Sequence, residues 1–158
     1  MTDKATFGAG CFWGVEARFR ELDGVLDAQV GYSGGHVDDP TYQQVCTDQT
    51  GHVEVVEVAF DPERISYETL VREFFKLHDP TQVNRQGPDV GRQYRSVIFH
   101  HGDGQRETAE RIRAELDQGG QYRKPIATAV EPAATFWRAE EYHQQYLARR
   151  GGSCSIGG

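Results

Sequence analysis

The stretch Gly8-Ala9-Gly10-Cys11-Phe12-Trp13-Gly14 follows a short apolar run at Ala5 to Phe7 and opens an amphipathic segment. This change of pattern predicts a strand that turns into a helix at about Phe12, with Cys11 in the turn. A helix N-terminus offers N–H groups and a positive dipole end, so we expect the pKa of the Cys11 thiol to lie below the roughly 8.5 of an isolated cysteine. A buried structural cysteine is the alternative interpretation.

The two aromatic residues after the cysteine, Phe12 and Trp13, point to different sides of the predicted helix start. One of them can therefore form a wall of a pocket over the sulfur. The glycines around Cys11 let backbone or ligand approach it closely. Two other interpretations stay open: the pair belongs to the core, or it binds methionine-containing segments in a module without catalytic activity.

Composition narrows the class of protein. The chain has 158 residues, of which 37% are hydrophobic and 26% are charged, and this composition suits one globular domain. Its net charge is -7, so we do not expect nucleic acid as a partner. Met1-Thr2-Asp3-Lys4 has no signal-peptide core and no apolar run is long enough for a bilayer, so we expect a cytoplasmic monomer away from membranes. Cys11, Cys46 and Cys154 lack Cys-x-x-Cys spacing, which favours redox or catalytic thiols over structural zinc or a disulfide framework.

Periodicity predicts an α+β fold. We expect a helix over about 12–22, a strand at Val25 to Tyr32, a loop over 33–52, a strand at Val53 to Phe60, a helix capped by Ser66, a loop over 78–91, a strand at Tyr94 to His100, a helix over about 105–118 and a strand at Ile126 to Glu131. The first six elements follow the order of ferredoxin-like folds. The prediction is a split β-α-β two-layer sandwich with an extended C-terminal arm.

The predicted strand at Val53 to Phe60 places one carboxylate among apolar side chains. Glu54, Val56, Val58 and Phe60 share a face. A carboxyl group in such surroundings is paired or has its pKa raised by desolvation, which is the state that a general acid needs near neutral pH. A glutamate at a strand end that reaches solvent is the alternative.

The last residues differ in composition from the rest. We divide the chain into a single catalytic domain over residues 1–150 and a flexible Gly-rich tail over 151–158 that carries Cys154. A cysteine in such a tail suits a mobile thiol that meets another sulfur. A surface cysteine without a role is the alternative.

At this point the sequence resembles the A-type peptide methionine sulfoxide reductases over nearly the whole chain up to the tail. The segments that carry the resemblance are 7–16 (FGAGCFWGVE), 31–35 (GYSGG), 40–46 (PTYQQVC), 51–54 (GHVE), 78–81 (HDPT), 84–91 (NRQGPDVG), 93–96 (QYRS) and 140–147 (EEYHQQYL).

The resemblance implies reduction of methionine S-sulfoxide, free and in oxidised proteins, without metal or organic cofactor. It implies a sulfenic acid on the catalytic cysteine, then a disulfide that thioredoxin reduces. The family's catalytic cysteine falls on Cys11, its acid on Glu54, its oxygen-binding tyrosines on Tyr42 and Tyr94, its water-holding aspartate on Asp89 and its methyl-binding aromatics on Phe12 and Trp13. Recycling cysteines vary within the family; here we expect a Cys11 to Cys154 disulfide and interpret Cys46 as structural.

Another enzyme class uses the same nucleophile. A cysteine hydrolase or acyltransferase would pair Cys11 with His52 or His78 as base. A metal site at His100-His101 is disfavoured, because adjacent strand residues point to opposite faces.

Overall fold

The structure is a computed structural model that describes residues 2–149. It is a mixed α/β molecule with a central, mostly antiparallel sheet. In chain order its elements are β1 (Asp3–Ala9), α1 (Phe12–Arg20), β2 (Val25–Ser33), α2 (Tyr42–Cys46), β3 (Val53–Phe60), α3 (Tyr67–Lys76), β4 (Arg85–Gln86), β5 (Asp89–Val90), β6 (Ser96–His100), α4 (Asp103–Gln118), β7 (Ala129–Pro132), β8 (Trp137–Arg138) and α5 (Tyr146–Arg149).

The six-stranded sheet has the order β7-β6-β1-β3-β2-β8, and β4 and β5 form a separate two-stranded hairpin. Within the sheet only β6 and β7 pair in parallel. β1 and β2 run in the same direction with β3 antiparallel between them, and β3 and β6 likewise enclose β1. β1 is therefore a central strand, with β6 on one side and β3 on the other, and α1 follows its carboxyl end.

One face of the sheet packs against α1, α3 and α4 in the main hydrophobic core. Phe7 of β1 is fully buried, and its ring stacks on Phe19 of α1 at 5.0 Å and on Phe74 of α3 at 5.2 Å between centroids. Burial of each such side chain contributes about 1.5–3 kcal/mol. These contacts fix both helices relative to β1.

The opposite face of the sheet carries a smaller cluster of buried residues: Val53, Val55, Val97 and Phe99, with Phe136 packed against them. β3 is thus covered on both faces. Its first four residues are all buried, instead of alternating between buried and exposed. Glu54 accordingly lies inside the protein, as its place in the strand pattern predicts.

Local interactions add two short elements in segments for which the sequence predicts loops. In the segment 33–52, the Thr41 side chain accepts from the Gln44 backbone N–H while the Gln44 side chain accepts from the Thr41 N–H, and this capping box starts α2. In the segment 78–91, β4 and β5 form a hairpin through Arg85–Val90 and Gln86–Asp89 pairing. Both loop predictions were therefore incomplete.

Several predicted boundaries were wrong by a few residues. α1 ends at Arg20 instead of residue 22, because the chain turns through Gly24 at φ 100°. β6 starts at Ser96 instead of Tyr94, since residues 92–94 form a 3₁₀ turn. β7 starts at Ala129 instead of Ile126, and α4 begins at residue 103 instead of 105. Pro132 is the last residue of β7, which is an edge strand.

Candidate active site

The turn between β1 and α1 presents Cys11 at the N-cap of the helix, half-buried, with φ -57° and ψ 122°. Gly10 precedes it at φ 100°, a conformation that favours glycine. A Cβ on Gly10 would stand 2.9 Å from the side chain of Gln86. Gln86 is in turn held by two hydrogen bonds to the backbone of Asp79, at 2.9 Å and 2.8 Å. The sharp turn at the thiol is thus packed tightly against β4, which hydrogen bonds from Gln86 tie to Asp79.

Glu54, the second residue of β3, lies directly behind this turn. Its side chain is 1% exposed, and the backbone N–H of Phe12 donates to Oε1 at 3.3 Å. Oε2 is buried without a hydrogen-bond partner among the described residues. Burial raises the pKa of the Glu54 carboxyl to about 8, the Phe12 N–H opposes that shift and the charge of Asp89 adds to it. Glu54 is therefore mostly protonated at pH 7, and it is hydrogen-bonded to the backbone of Phe12, the residue that follows Cys11.

Tyr42 and Tyr94 are partly buried tyrosines near this carboxyl group. The pKa of each phenol is raised well above its usual value, first by burial and then by the charge of Glu54. Asp89 and Cys11 also contribute to the shift of Tyr94. Both hydroxyls therefore keep their protons throughout the physiological range and are available as hydrogen-bond donors.

The hydroxyl of Tyr42 and the thiol of Cys46, the last residue of α2, are close enough for each to shift the pKa of the other. Cys46 is exposed as a whole residue, and partial burial of its sulfur raises the pKa of its thiol. The side chain interpreted from sequence as structural thus lies at the surface and contacts a residue of the site.

An aromatic cluster flanks the turn on the side of α2. The ring of Tyr42 lies 6.2 Å from Phe12 and 6.3 Å from Trp13, and His143 lies 4.4 Å from Tyr42, all between centroids. Phe12 is 1% exposed, whereas Trp13 is half-buried. Aromatic rings therefore lie beside the turn that carries Cys11. They contrast with the polar groups of the site, which are the Glu54 carboxyl and the hydroxyls of Tyr42 and Tyr94.

The segment Glu140–Tyr146 contacts the site through Glu140 and His143, for which the sequence predicts no role, and through Tyr146, which it predicts to attach the C-terminal arm to the rest of the protein. Glu140 accepts from the Tyr32 hydroxyl at 2.8 Å and from the Tyr42 backbone N–H at 3.0 Å. His143 accepts from the Trp13 indole N–H at 2.9 Å. The ring of Tyr146 stacks on Trp13 at 3.9 Å. The available signal was the unusual run of polar and aromatic residues EEYHQQY at the start of the predicted arm.

A model of the family described as peptide methionine sulfoxide reductase matches residues 3–156. The chain belongs to this family. The peptide methionine sulfoxide reductase MsrA of Acidobacterium capsulatum is 60% identical over 154 residues, which cover 97% of this chain and 99% of that protein. MsrA of Methanoculleus marisnigri is 59% identical over 150 residues, 95% of this chain and 92% of that protein.

Solved structures of the family have the same architecture. Mxr1 from Saccharomyces cerevisiae in reduced form superposes with a TM-score of 0.91 at 36% identity, covering 98% of this chain and 89% of that chain. Mxr1 has also been solved in complex with Trx2, with a TM-score of 0.66 at 29% identity over 92% of this chain and 84% of that chain. The resemblance read from the sequence motifs is confirmed at the level of the family.

The two histidines that a cysteine hydrolase could use as a base, His52 and His78, form hydrogen bonds with other groups. His52 accepts from the Gly35 N–H through Nδ1 at 3.0 Å, and its Nε2 lies 2.6 Å from the Val37 carbonyl. Both ring nitrogens of His78 also form hydrogen bonds, to the Phe74 carbonyl and the Ser96 hydroxyl, each at 2.7 Å. Neither ring is available as a base for a cysteine nucleophile.

Two other expectations concern metals and membranes. Among the described residues no group of three or more His, Cys, Asp or Glu side chains is arranged to hold a metal ion. Within residues 2–149 no helix combines the length and apolar character needed to span a membrane. Cys154, the predicted recycling thiol, lies outside the described residues.

Proposed function

We propose that this chain reduces the S-epimer of methionine sulfoxide, free and in oxidised proteins, with Cys11 as nucleophile and thioredoxin as final reductant. The observation that carries the proposal is the buried Glu54 carboxyl. It is 1% exposed, its pKa is raised to about 8, and it accepts a hydrogen bond from the residue next to Cys11. A protonated carboxyl beside a thiol at a helix N-terminus is the pair that sulfoxide reduction requires.

The difficult part of the reaction is the sulfoxide oxygen, which gains negative charge as sulfur is attacked. In the proposal, Glu54 gives this oxygen a proton while the hydroxyls of Tyr42 and Tyr94 donate hydrogen bonds to it. The raised pKa values of both phenols support donor roles. Asp89, whose charge acts on Glu54 and Tyr94, is assigned to hold water at this side of the pocket.

The substrate methyl group is assigned to the apolar side. Phe12 and Trp13, with centroids 6.4 Å apart, form that wall in the proposal. Because the methyl group and the oxygen are held at different sides, only one sulfoxide epimer presents its sulfur to Cys11 while its oxygen faces Glu54. This arrangement supports selectivity for one epimer.

The oxygen atom passes from substrate to enzyme. The Cys11 thiolate bonds to the sulfoxide sulfur, and Glu54 protonates the oxygen. The resulting hydroxyl then moves to the Cys11 sulfur as its bond to the substrate sulfur and the bond between the two sulfurs break, so methionine leaves as the thioether and Cys11 becomes a sulfenic acid. The Cys154 thiol then attacks the sulfenic sulfur, which releases water and forms the Cys11 to Cys154 disulfide. A thioredoxin dithiol reduces that disulfide. The Mxr1 complex with Trx2 supports this choice of reductant.

We further propose a ferredoxin-like split β-α-β two-layer sandwich, with residues 1–150 as one catalytic domain and 151–158 as a flexible tail. The order β6-β1-β3-β2, with α1 and α3 as the connections between parallel strands, supports the fold assignment. A cytoplasmic monomer completes the proposal, and the reducing cytoplasm suits an enzyme that needs its thiols reduced.

The test is a single-turnover assay with each epimer of methionine sulfoxide, followed by thiol counting, in wild type and Cys154→Ser. We expect the S-epimer alone to be reduced, with wild type losing both Cys11 and Cys154 thiols and the variant losing Cys11 only. Cys46→Ser is the matched control, and it should behave as wild type. Reduction of neither epimer would overturn the function, whereas loss of the Cys46 thiol in place of Cys154 would overturn the recycling step.

A further inference from the structure

The segment Glu140–Tyr146 contacts Tyr42 and Trp13, which the proposed function assigns to the two sides of the substrate site. We propose that Glu140 and His143 are positioning residues that set epimer selectivity, Glu140 by holding Tyr42 and His143 by holding Trp13. This inference rests on the proposed function, because it assigns the oxygen to Tyr42 and the methyl group to Trp13. Neither residue touches the reacting atoms; each acts through the neighbour that it fixes.

His143 determines the rotation of the Trp13 indole. Its Nδ1 accepts from Trp13 Nε1 at 2.9 Å, and its side chain is 1% exposed. Burial lowers the pKa of this imidazole, so it remains neutral and Nδ1 keeps the lone pair that the indole N–H needs. Tyr146 stacks on the indole with an interplanar angle of 9°. The indole is therefore fixed at its edge by His143 and across its face by Tyr146.

Glu140 anchors the first residue of α2 and thereby holds Tyr42 in place. One carboxylate oxygen accepts from the Tyr42 backbone N–H at 3.0 Å, and the other accepts from the Tyr32 hydroxyl at 2.8 Å. Tyr42 is the first residue of α2, where an N–H has no partner within the helix. The ring of Tyr32 lies 5.8 Å from Phe12, so the same carboxylate also reaches the methyl side through Tyr32.

The two positioning residues are themselves held rigidly to the sheet. Gln144 exchanges hydrogen bonds with the backbone of Val30 in β2, accepting from its N–H at 3.0 Å and donating to its carbonyl at 2.9 Å. Its amide also donates to the Ala139 carbonyl at 3.0 Å. Because Glu140 and His143 lie between Ala139 and Gln144, the positions of Tyr42 and Trp13 are coupled through one short segment of backbone.

Selectivity at a chiral sulfur depends on this coupling. The two epimers differ in which substituent lies on which side of the sulfur when Cys11 attacks. An enzyme distinguishes them by fixing the oxygen donors and the methyl wall relative to the line of attack. If Trp13 or Tyr42 is free to shift, the reaction rate of the disfavoured epimer rises relative to the rate of the favoured one. Loss of Glu140 or His143 therefore lowers the ratio of the two rates beyond any general loss of activity.

The experiment measures single-turnover rates for purified S- and R-epimers of free methionine sulfoxide. Removal of the acceptor in His143→Leu leaves a partly buried indole N–H without its partner. The wild-type ratio of S to R rates is set at its lower bound by the slowest R-epimer rate that the assay detects, and we expect the ratio in the variant to lie about tenfold or more below that bound. His143→Asn places an amide oxygen near the site of Nδ1 and should restore most of the ratio. Glu140→Gln and Glu140→Ala should lower it progressively.

Two controls separate positioning from general damage. Glu141→Gln alters an exposed neighbour that pairs with Arg138 and Arg149 and contacts neither side of the pocket, so it should leave the ratio unchanged. In a Trp13→Phe background, which lacks the indole donor, His143→Leu should cause little further change. Equal losses for both epimers, in variants with wild-type melting temperatures, would overturn the inference. A wild type that reduces neither epimer would instead overturn the proposed function.

Discussion

At the scale of single residues, the proposed chemistry depends on one carboxyl group that is shielded from water. Glu54 has apolar neighbours along β3, a single N–H from Phe12 on one oxygen, and an unpartnered second oxygen within the described part of the chain. Ionisation of such a group costs desolvation free energy that a single N–H does not repay. The proton that the sulfoxide oxygen needs is therefore stored where the oxygen is proposed to bind.

Glu54→Gln tests this role directly. The amide has the same shape but cannot deliver a proton, so we expect the single-turnover rate at pH 7 to fall by about 10²-fold or more. The wild-type rate should fall as pH rises through about 8, where Glu54 ionises, and the variant should lose that dependence. Rapid-quench measurements across pH 6 to 9, a range of about three units around that pKa, follow both effects.

The matched control for this substitution lies on the same strand. Glu57→Gln alters a less buried carboxylate that pairs with Lys4, away from Cys11, and it should leave the rate and its pH profile unchanged. A wild-type rate in Glu54→Gln would remove Glu54 from the mechanism.

At the scale of elements, the β1–α1 turn determines where the Cys11 thiol lies. Gly10 takes a φ of 100°, and the Gln86 side chain fills the space that a Cβ would need. This turn ends a central strand and starts a helix within two residues, which brings Cys11 to the helix N-terminus. The geometry of the thiol thus depends on a backbone conformation that most residues reach only with strain.

Gly10→Ala is expected to strain this turn. An alanine there adopts a disfavoured φ and places Cβ 2.9 Å from Gln86, so we expect a loss of about 1–3 kcal/mol in unfolding free energy and slower single turnover. Urea denaturation and the sulfoxide assay measure the two effects.

Gly104→Ala is the control, because Gly104 lies in the first turn of α4 with nothing within 4 Å of its Cβ position. That variant should be neutral or more stable by up to about 1 kcal/mol, since alanine favours helix. Equal stability of both variants would contradict the strain at Gly10.

At the scale of the whole molecule, two buried groups make stability depend on pH in opposite directions. The Glu54 carboxyl has its pKa raised to about 8, so the folded state binds more protons than the unfolded state between about 4.5 and 8. Burial lowers the pKa of His78 to about 4, so here the unfolded state binds more protons between about 4 and 6.5. Stability from Glu54 is lost as pH rises, and stability from His78 is lost as pH falls.

The Glu54 contribution predicts how Glu54→Gln changes stability. Since the glutamine does not titrate, the variant should gain stability relative to wild type between pH 5 and 8, by up to about 4 kcal/mol at 1.36 kcal/mol for each pH unit. Urea denaturation of both proteins at the two pH values measures the difference. A constant difference would mean that Glu54 does not titrate with its raised pKa.

His78 predicts the reverse dependence. Its ring links α3 to β6 through hydrogen bonds to Phe74 and Ser96, and Ser96 also bonds to Thr128. His78→Asn should destabilise the protein most above pH 6.5, and the penalty should shrink by about 3 kcal/mol towards pH 4. The same denaturation series checks it, and a penalty that grows on acidification would contradict the prediction.

Local patterns in the sequence determined the starts of several elements and the face of β3 on which Glu54 lies. The change of period at Cys11, the phase of Glu54 in β3 and the N-cap at Ser66 were all readable, because each is fixed by neighbours a few residues away. The motifs around these residues also identified the family. The mixture of helices with a mostly antiparallel sheet also followed from the predicted elements, although several boundaries shifted by two or three residues.

Only the tertiary structure decided which side chains meet. Phe12 and Glu54 are 42 residues apart, Tyr42 and Glu140 are 98 apart, and Trp13 and His143 are 130 apart. No periodicity in the chain encodes such pairs, since they depend on how the sheet order and the C-terminal segment close around β1. The pKa of Glu54 and the fixed positions of Trp13 and Tyr42 therefore belong to the folded molecule, because desolvation and long-range hydrogen bonds arise only when distant elements pack together.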